Sequence, residues 1–175
     1  MLIYKIINRL FKTDLKRRTL RDVTAEDILS LGASAVAIDA DNTSSYDGTT
    51  EPLPYSYGWI REMEGAGIPV ILLSNAKNVR ARALADKYGI PVVGLALKPL
   101  PFGYIRAAAK LKLPCKKICL IGDQLFTDIL GANLSGCRSI YVYPYKPEER
   151  NVDSYRRRRA NEKKIFSYLE KNDKA

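Results

Sequence analysis

Short runs of apolar residues recur along the chain, and each has the length of a buried β-strand. The runs occupy residues 35–38, 70–73, 92–95, 118–121 and 139–142. Strands that are apolar on both faces are typical of parallel sheets covered by helices. The intervening segments 55–64, 78–88, 101–111 and 127–134 have helical patterning. This alternation predicts an α/β fold with a Rossmann-like, doubly wound parallel sheet of about five strands.

The two ends of the chain have a different pattern. Apolar residues recur at helical spacing near the N-terminus, and basic residues lie between them, which predicts an amphipathic basic helix with Ile3, Ile6, Ile7, Leu10 and Phe11 on one side. Such a helix either lies on a membrane surface or packs on the domain, and the pattern fits both. Residues 156–159 are four consecutive arginines before a further helical stretch, a pattern typical of a solvated face.

We therefore divide the chain into three parts. Residues 1–22 form a basic amphipathic segment, residues 23–145 a catalytic domain, and residues 146–175 a basic helical extension. The net charge of +10 belongs to the ends, because residues 1–22 carry seven basic against two acidic residues and residues 146–175 carry ten against six. We expect these ends to meet any polyanionic partner, whether anionic lipid or nucleic acid.

Composition also excludes several kinds of protein. No apolar run approaches the roughly 20 residues that span a bilayer, so we expect a cytoplasmic protein without a transmembrane segment, able to bind peripherally to an anionic membrane. The chain has no histidine, and its three cysteines show no Cys-x-x-Cys spacing. This argues against a zinc site and against the common serine and cysteine triads. Catalysis has to use carboxylates, lysine, hydroxyl groups or a metal.

Polar residues follow four of the predicted strands. Because ligands of open α/β sheets bind at the carboxyl ends of the strands, these residues are the candidates for a site. They are Asp39, Asp41 and Thr43 after the first strand, Ser74 and Asn75 after the second, Lys98 after the third, and Asp123 and Asp128 after the fourth. Phosphoryl transfer needs a nucleophile, cations around the phosphoryl oxygens and a proton donor, and this set offers each.

The residue types suggest a role for each position. Asp39 is the candidate nucleophile, which would form an aspartyl phosphate, and Asp41 the general acid and base. Lys98 would neutralise charge on the phosphoryl group. Thr43, Ser74, with its hydroxyl and backbone N–H, and Asn75 are the candidates for binding phosphate. Asp123 is the candidate ligand for Mg²⁺, and Asp128 would either help to hold the metal or orient Asp123.

This ordered set resembles the four motifs of the haloacid dehalogenase superfamily. The phrases DADNT, LLSNA, ALKP and IGDQLFTDILGAN are similar to those of subclass IIIA, in particular the YqeG-type subgroup, which is related to phosphatidylglycerophosphate phosphatases. The resemblance implies a Rossmann-like fold and an aspartyl-phosphate intermediate. It also implies Mg²⁺ as cofactor, held by Asp39, Asp123 and the backbone carbonyl of Asp41.

The spacing of the motifs leaves no room for a cap domain, since 30 residues lie between Thr43 and Ser74 and 23 between Ser74 and Lys98. An open site suits a substrate that brings its own bulk. Together with the resemblance, this favours a phosphatase of phospholipid biosynthesis that converts phosphatidylglycerophosphate to phosphatidylglycerol. The alternatives are a phosphoprotein, a nucleotide or a nucleic-acid end as substrate. A non-catalytic nucleic-acid-binding protein is less favoured, because the basic segments lack interleaved aromatic residues, and we expect no obligate nucleic-acid partner.

Overall fold

Six parallel strands form one sheet in the computed structural model, which describes residues 2–145 and 153–172. The strand order is β1-β6-β5-β2-β3-β4. The bounds are β1 Leu15–Arg17, β2 Ala35–Ile38, β3 Val70–Leu73, β4 Val92–Val93, β5 Ile118–Gly122 and β6 Arg138–Val142. The doubly wound α/β fold predicted from the sequence is confirmed.

Helices cover both faces of this sheet. Alternate residues of β2 divide between two apolar clusters, with Val36 and Ile38 in one and Ala35 and Ala37 in the other. The helices are α1 Leu2–Phe11, α2 Ala25–Ser30, α3 Ser56–Gly65, α4 Asn78–Tyr88, α5 Phe102–Leu111, α6 Leu130–Ser135 and α7 Asp153–Asn172. Helices α2, α3 and α4 pack in the first cluster, and α5 and α6 in the second.

Two strands differ from the prediction. Strand β1 was not predicted, because its residues Leu15, Lys16 and Arg17 are only half-buried and form no apolar run. It lies at the edge of the sheet, where it has a neighbouring strand, β6, on one side only. Strand β4 ends at Val93 instead of residue 95. Leu95 already has a positive φ of 44°, which is incompatible with an extended strand.

Helices α1 and α7 both pack on the sheet domain. Phe11 of α1 and Phe166 of α7 lie against a third apolar cluster, formed by Leu125, Ile129 and Tyr141. The beginning of α1 is different, since its apolar side chains are largely exposed: Leu2 by 72%, Ile3 by 69% and Ile6 by 50%. Packing on the domain therefore involves Phe11 at the end of α1, whereas Leu2, Ile3 and Ile6 at its beginning face solvent. None of the described helices is long and apolar enough to cross a membrane.

The end of β5 allows an unusually close approach of a side chain to the backbone. A Cβ atom placed on Gly122 would lie 2.4 Å from Cγ of Asp128. Asp128 belongs to a π-helical turn, Leu125–Ile129, that follows the strand. Glycine is therefore needed at position 122 for this turn to pack against β5.

We expect Gly122→Ala to lower the free energy of unfolding by about 1–3 kcal/mol, because the new methyl group overlaps a fully buried side chain. Urea unfolding followed by circular dichroism measures this change. Gly58→Ala in α3 is the matched control, since a Cβ at Gly58 meets nothing within 4 Å. The control should raise the free energy of unfolding by about 0.5–1 kcal/mol. Equal stability of the two variants would contradict the close packing at Gly122.

Candidate active site

A buried lysine links two carboxylates at the carboxyl edge of the sheet. Asp39 directly follows β2, and its Oδ1 lies 2.5 Å from Nζ of Lys98. The same Nζ lies 2.6 Å from Oδ1 of Asp128. All three side chains are at most 7% exposed, so water contributes little to stabilising their charges. The predicted nucleophile and the predicted phosphate-binding lysine are therefore in direct contact.

The pKa values show how the charges in this cluster balance. Burial raises the pKa of Asp39 well above its usual value, Lys98 opposes this, and Asp128 and Asp123 add to it. Burial alone would lower the pKa of Lys98, but Asp128 and Asp39 outweigh it and raise that pKa. Burial likewise raises the pKa of Asp123 to about 7, against the opposing effect of Arg159. The ionised forms of Asp39 and Asp123 are thus less stable here than in water, mainly because both carboxyl groups are buried.

The cluster has the donors that a small divalent cation requires. Asp39, Asp123 and Asp128 are all buried, and each offers one carboxylate oxygen within 4.8 Å of those of the other two. Mg²⁺ prefers carboxylate oxygens and brings its own charge of two. The residues present therefore fit a magnesium ion, and Asp39 and Asp123 belong to the set that the sequence predicts as ligands.

Asp41 is held apart from these three carboxylates. Asn42 adopts a left-handed conformation, with φ 61°, and turns the chain just after Asp41. The Asp41 carboxylate accepts two hydrogen bonds from Arg80 of α4, at 2.6 and 2.8 Å, and one from the Gly48 N–H at 2.9 Å. A metal contact through the Asp41 backbone carbonyl stays a prediction. Arg80 is a site residue that the sequence analysis missed, since a helical arginine carries no sign of its distant partner.

The predicted phosphate-binding hydroxyls lie in the same region. The Thr43 hydroxyl donates to Oδ1 of Asp123 at 3.5 Å. The Ser74 hydroxyl accepts from the Ala76 N–H at 3.1 Å, which leaves its own proton available for donation. The backbone N–H of Ser74 instead donates to the Val93 carbonyl at 3.0 Å. It is used within the sheet, so the hydroxyl is the part of Ser74 suited to binding phosphate.

Asn75 positions Lys98 in this structure. Its side-chain Oδ1 accepts from the Lys98 N–H at 2.7 Å, and its Nδ2 donates to the Lys98 carbonyl at 3.0 Å. These paired bonds hold the backbone on both sides of the Lys98 side chain. Leu97, with a φ of 58°, is in a conformation that costs a non-glycine residue energy. The contact of Asn75 with phosphate stays a prediction. In this structure its amide group holds the backbone of Lys98.

Helix α7 adds a residue that the sequence analysis also missed. Arg159 donates to the carboxylate and to the backbone carbonyl of Asp123. Arg156, Arg157 and Arg158 are exposed, as expected of a solvated face, but the Arg159 side chain is only 13% exposed. That interpretation is therefore wrong for Arg159. A signal was present in the sequence, because Glu162 follows Arg159 by three residues, the spacing of a helical ion pair.

Comparison with known proteins identifies the family of this chain. A family model described as haloacid dehalogenase-like hydrolase matches residues 5–136. The probable phosphatase YqeG of Bacillus subtilis (strain 168) is 28% identical over 166 residues, which are 95% of each chain. The chloroplastic phosphatidylglycerophosphate phosphatase 1 of Chlamydomonas reinhardtii is 27% identical over 134 residues, 71% of this chain and 50% of that protein.

A solved structure shows the same fold at lower sequence identity. The D,D-heptose 1.7-bisphosphate phosphatase of B. bronchiseptica, in complex with magnesium and phosphate, superposes with a TM-score of 0.53. It is 20% identical and the match covers 66% of this chain and 84% of that one. Because the family model covers most of the chain, the chain belongs to the haloacid dehalogenase-like hydrolases and is a phosphatase of that family.

Proposed function

We propose that this phosphatase acts through an aspartyl phosphate on Asp39 and requires Mg²⁺. The observation that carries the proposal is the buried cluster in which Asp39 contacts Lys98 and lies near Asp123 and Asp128. Mg²⁺, held by Asp39 and Asp123, would offset negative charge on the transferring phosphoryl group. Burial raises the pKa of Asp39, and the contact with Lys98 opposes this and favours the ionised form, which is the nucleophilic one.

The reaction divides into two displacements. A carboxylate oxygen of Asp39 attacks phosphorus, and the bond between phosphorus and the ester oxygen breaks. A proton from Asp41 goes to the departing oxygen, and Asp41 then accepts a proton from the water that hydrolyses the aspartyl phosphate. The bidentate pair with Arg80 favours the ionised form of Asp41. Asp41 therefore has to leave Arg80 and take up a proton from solvent before its carboxyl group can donate one to the departing oxygen.

Three side chains are suited to hold the phosphoryl group during these steps. The Ser74 hydroxyl and the Lys98 ammonium group donate hydrogen bonds and, in the case of Lys98, neutralise charge. The Thr43 hydroxyl lies beside Asp123, at the boundary between phosphate and metal. Each of these residues is at most 6% exposed, so bulk water competes little for the hydrogen bonds of these side chains.

We expect Asp39→Asn to lower the rate of phosphate release from p-nitrophenyl phosphate by on the order of a thousandfold or more, since the amide is not a nucleophile. The fold should persist, because the amide oxygen still accepts a hydrogen bond from Lys98. Initial rates with Mg²⁺, together with circular dichroism, measure both effects.

Asp86→Asn is the matched control, since Asp86 is an exposed aspartate of α4. It should have the wild-type rate. Turnover by Asp39→Asn at a rate near that of this control would refute the assignment of Asp39 as nucleophile.

We further propose phosphatidylglycerophosphate as the substrate and phosphatidylglycerol as the product. Similarity to the Chlamydomonas phosphatase named for that lipid supports this choice. The site also suits a bulky substrate, since the chain between Asp39 and α3 is a loop with only isolated β-bridges and adds no cap domain within residues 39–145. An uncapped site leaves room for a headgroup at a bilayer surface.

The arrangement of the ends supports docking on anionic membrane. The Tyr4 ring of α1 lies 6.3 Å from the Tyr168 ring of α7, so the two basic helices adjoin. The exposed apolar residues Leu2, Ile3 and Ile6 lie at the start of α1. Apolar side chains flanked by basic ones suit the boundary between lipid headgroups and acyl chains.

We expect phosphate release from phosphatidylglycerophosphate in anionic vesicles, and a loss of about tenfold or more when Leu2, Ile3 and Ile6 are all replaced by Ser, because the apolar anchor is removed. The same variant should hydrolyse p-nitrophenyl phosphate at the wild-type rate. Leu29→Ser, at a residue of α2 that is 56% exposed, is the control for loss of a surface apolar side chain. Absence of lipid turnover by wild-type protein active on p-nitrophenyl phosphate would rule out this substrate.

A further inference from the structure

The C-terminal helix supplies a cationic side chain to the acidic cluster. Nη2 of Arg159 contacts Oδ2 of Asp123, and Nη1 donates to the Asp123 backbone carbonyl. Asp123 is fully buried, so this guanidinium group is a major source of its stabilisation. The family model matches residues 5–136, and α7 lies outside that range. The contact is thus a feature of this chain beyond the region that the model matches.

Glu162 fixes Arg159 and the segment that follows Asp123 at the same time. Its Oε2 lies 2.7 Å from Nη1 of Arg159, and its Oε1 accepts from the Leu125 N–H at 2.8 Å. Leu125 begins the π-helical turn that carries Asp128. Glu162 is 2% exposed. One turn of α7 therefore holds both the Asp123 carboxylate and the turn that carries Asp128.

The charges favour a positioning role for this pair over competition with a metal. Asp39, Asp123 and Asp128 with Lys98 have a formal charge of −2, which one Mg²⁺ balances. Arg159 and Glu162 together are neutral, so they add directed hydrogen bonds without a net positive charge that would repel the ion. Arg159 donates to Oδ2 of Asp123, whereas the other carboxylate oxygen, Oδ1, accepts from the Thr43 hydroxyl.

We propose that Arg159, held by Glu162, is a positioning residue that orients the Asp123 carboxylate for binding Mg²⁺. Helix α7 then contributes to metal affinity as well as to packing. This role rests on the proposed use of Mg²⁺ by the enzyme. Hydrogen-bond partners of metal ligands commonly have such effects, and their loss weakens metal binding about 10- to 100-fold.

Calorimetric titration of the protein with MgCl₂, without substrate, measures the effect directly. Arg159→Gln should raise the Kd for Mg²⁺ by about tenfold or more. Glu162→Gln should also raise it, because the amide leaves the positive charge of Arg159 unbalanced beside the metal. Arg157→Gln removes an equal charge from an exposed position of α7 and should have the wild-type Kd.

Hydrogen exchange at the Leu125 amide separates positioning from simple loss of packing. The bond from this amide to Glu162 remains possible in Arg159→Gln, so the amide should stay protected while the Kd rises. A Kd equal to or below that of wild type would overturn the proposal, and so would a higher Kd accompanied by loss of protection at Leu125. If wild-type protein bound no Mg²⁺, the proposed cofactor itself would be refuted, an outcome distinct from failure of Arg159 alone.

Discussion

The burial of three carboxylates at one edge of the sheet is the constraint on which the rest of the site depends. Asp39, Asp123 and Asp128 are each removed from water, which is costly for charged groups that lack partners. Lys98 offsets part of this charge, and Arg159 stabilises Asp123 while its own charge is balanced by Glu162. A divalent cation would offset the remainder. The contacts that hold these carboxylates in the folded chain therefore also form the site that we propose for a metal and a phosphate ester.

The backbone around the cluster is arranged to hold these groups in place. Asn75 bonds to the N–H and the carbonyl of Lys98, which positions the lysine although it lies in a loop. Asp128 reaches Lys98 because Gly122 has no side chain and the following turn is π-helical. Rare conformations of this kind often occur at functional sites, where surrounding contacts offset their energetic cost. Asn75 therefore links the LLSNA segment to the ALKP segment, which contains Lys98.

Features with a local pattern were predictable from the sequence, and features that depend on distant partners were not. The central strands have strong apolar patterns, and their predicted bounds match the structure closely, as do those of the helix at 78–88. The strand-end rule brought Asp39, Lys98, Asp123 and Asp128 together. Strand β1 was missed because its three residues form no apolar run. It is a strand because it pairs with β6, which is distant in the sequence. Arg80 was missed because nothing near it in sequence reveals that it binds Asp41.

Asp39 lies at the end of β2 in contact with Lys98, and its proposed role as nucleophile is the central claim. A crystal structure of the protein grown with MgCl₂ and beryllium fluoride tests it most directly, since beryllofluoride mimics a phosphoryl group on a carboxylate. The account predicts beryllofluoride bonded to a carboxylate oxygen of Asp39, with Mg²⁺ contacting Asp39 and Asp123 and Lys98 beside the fluorine atoms. Beryllofluoride bonded to Asp41, Asp123 or Asp128 instead would contradict it.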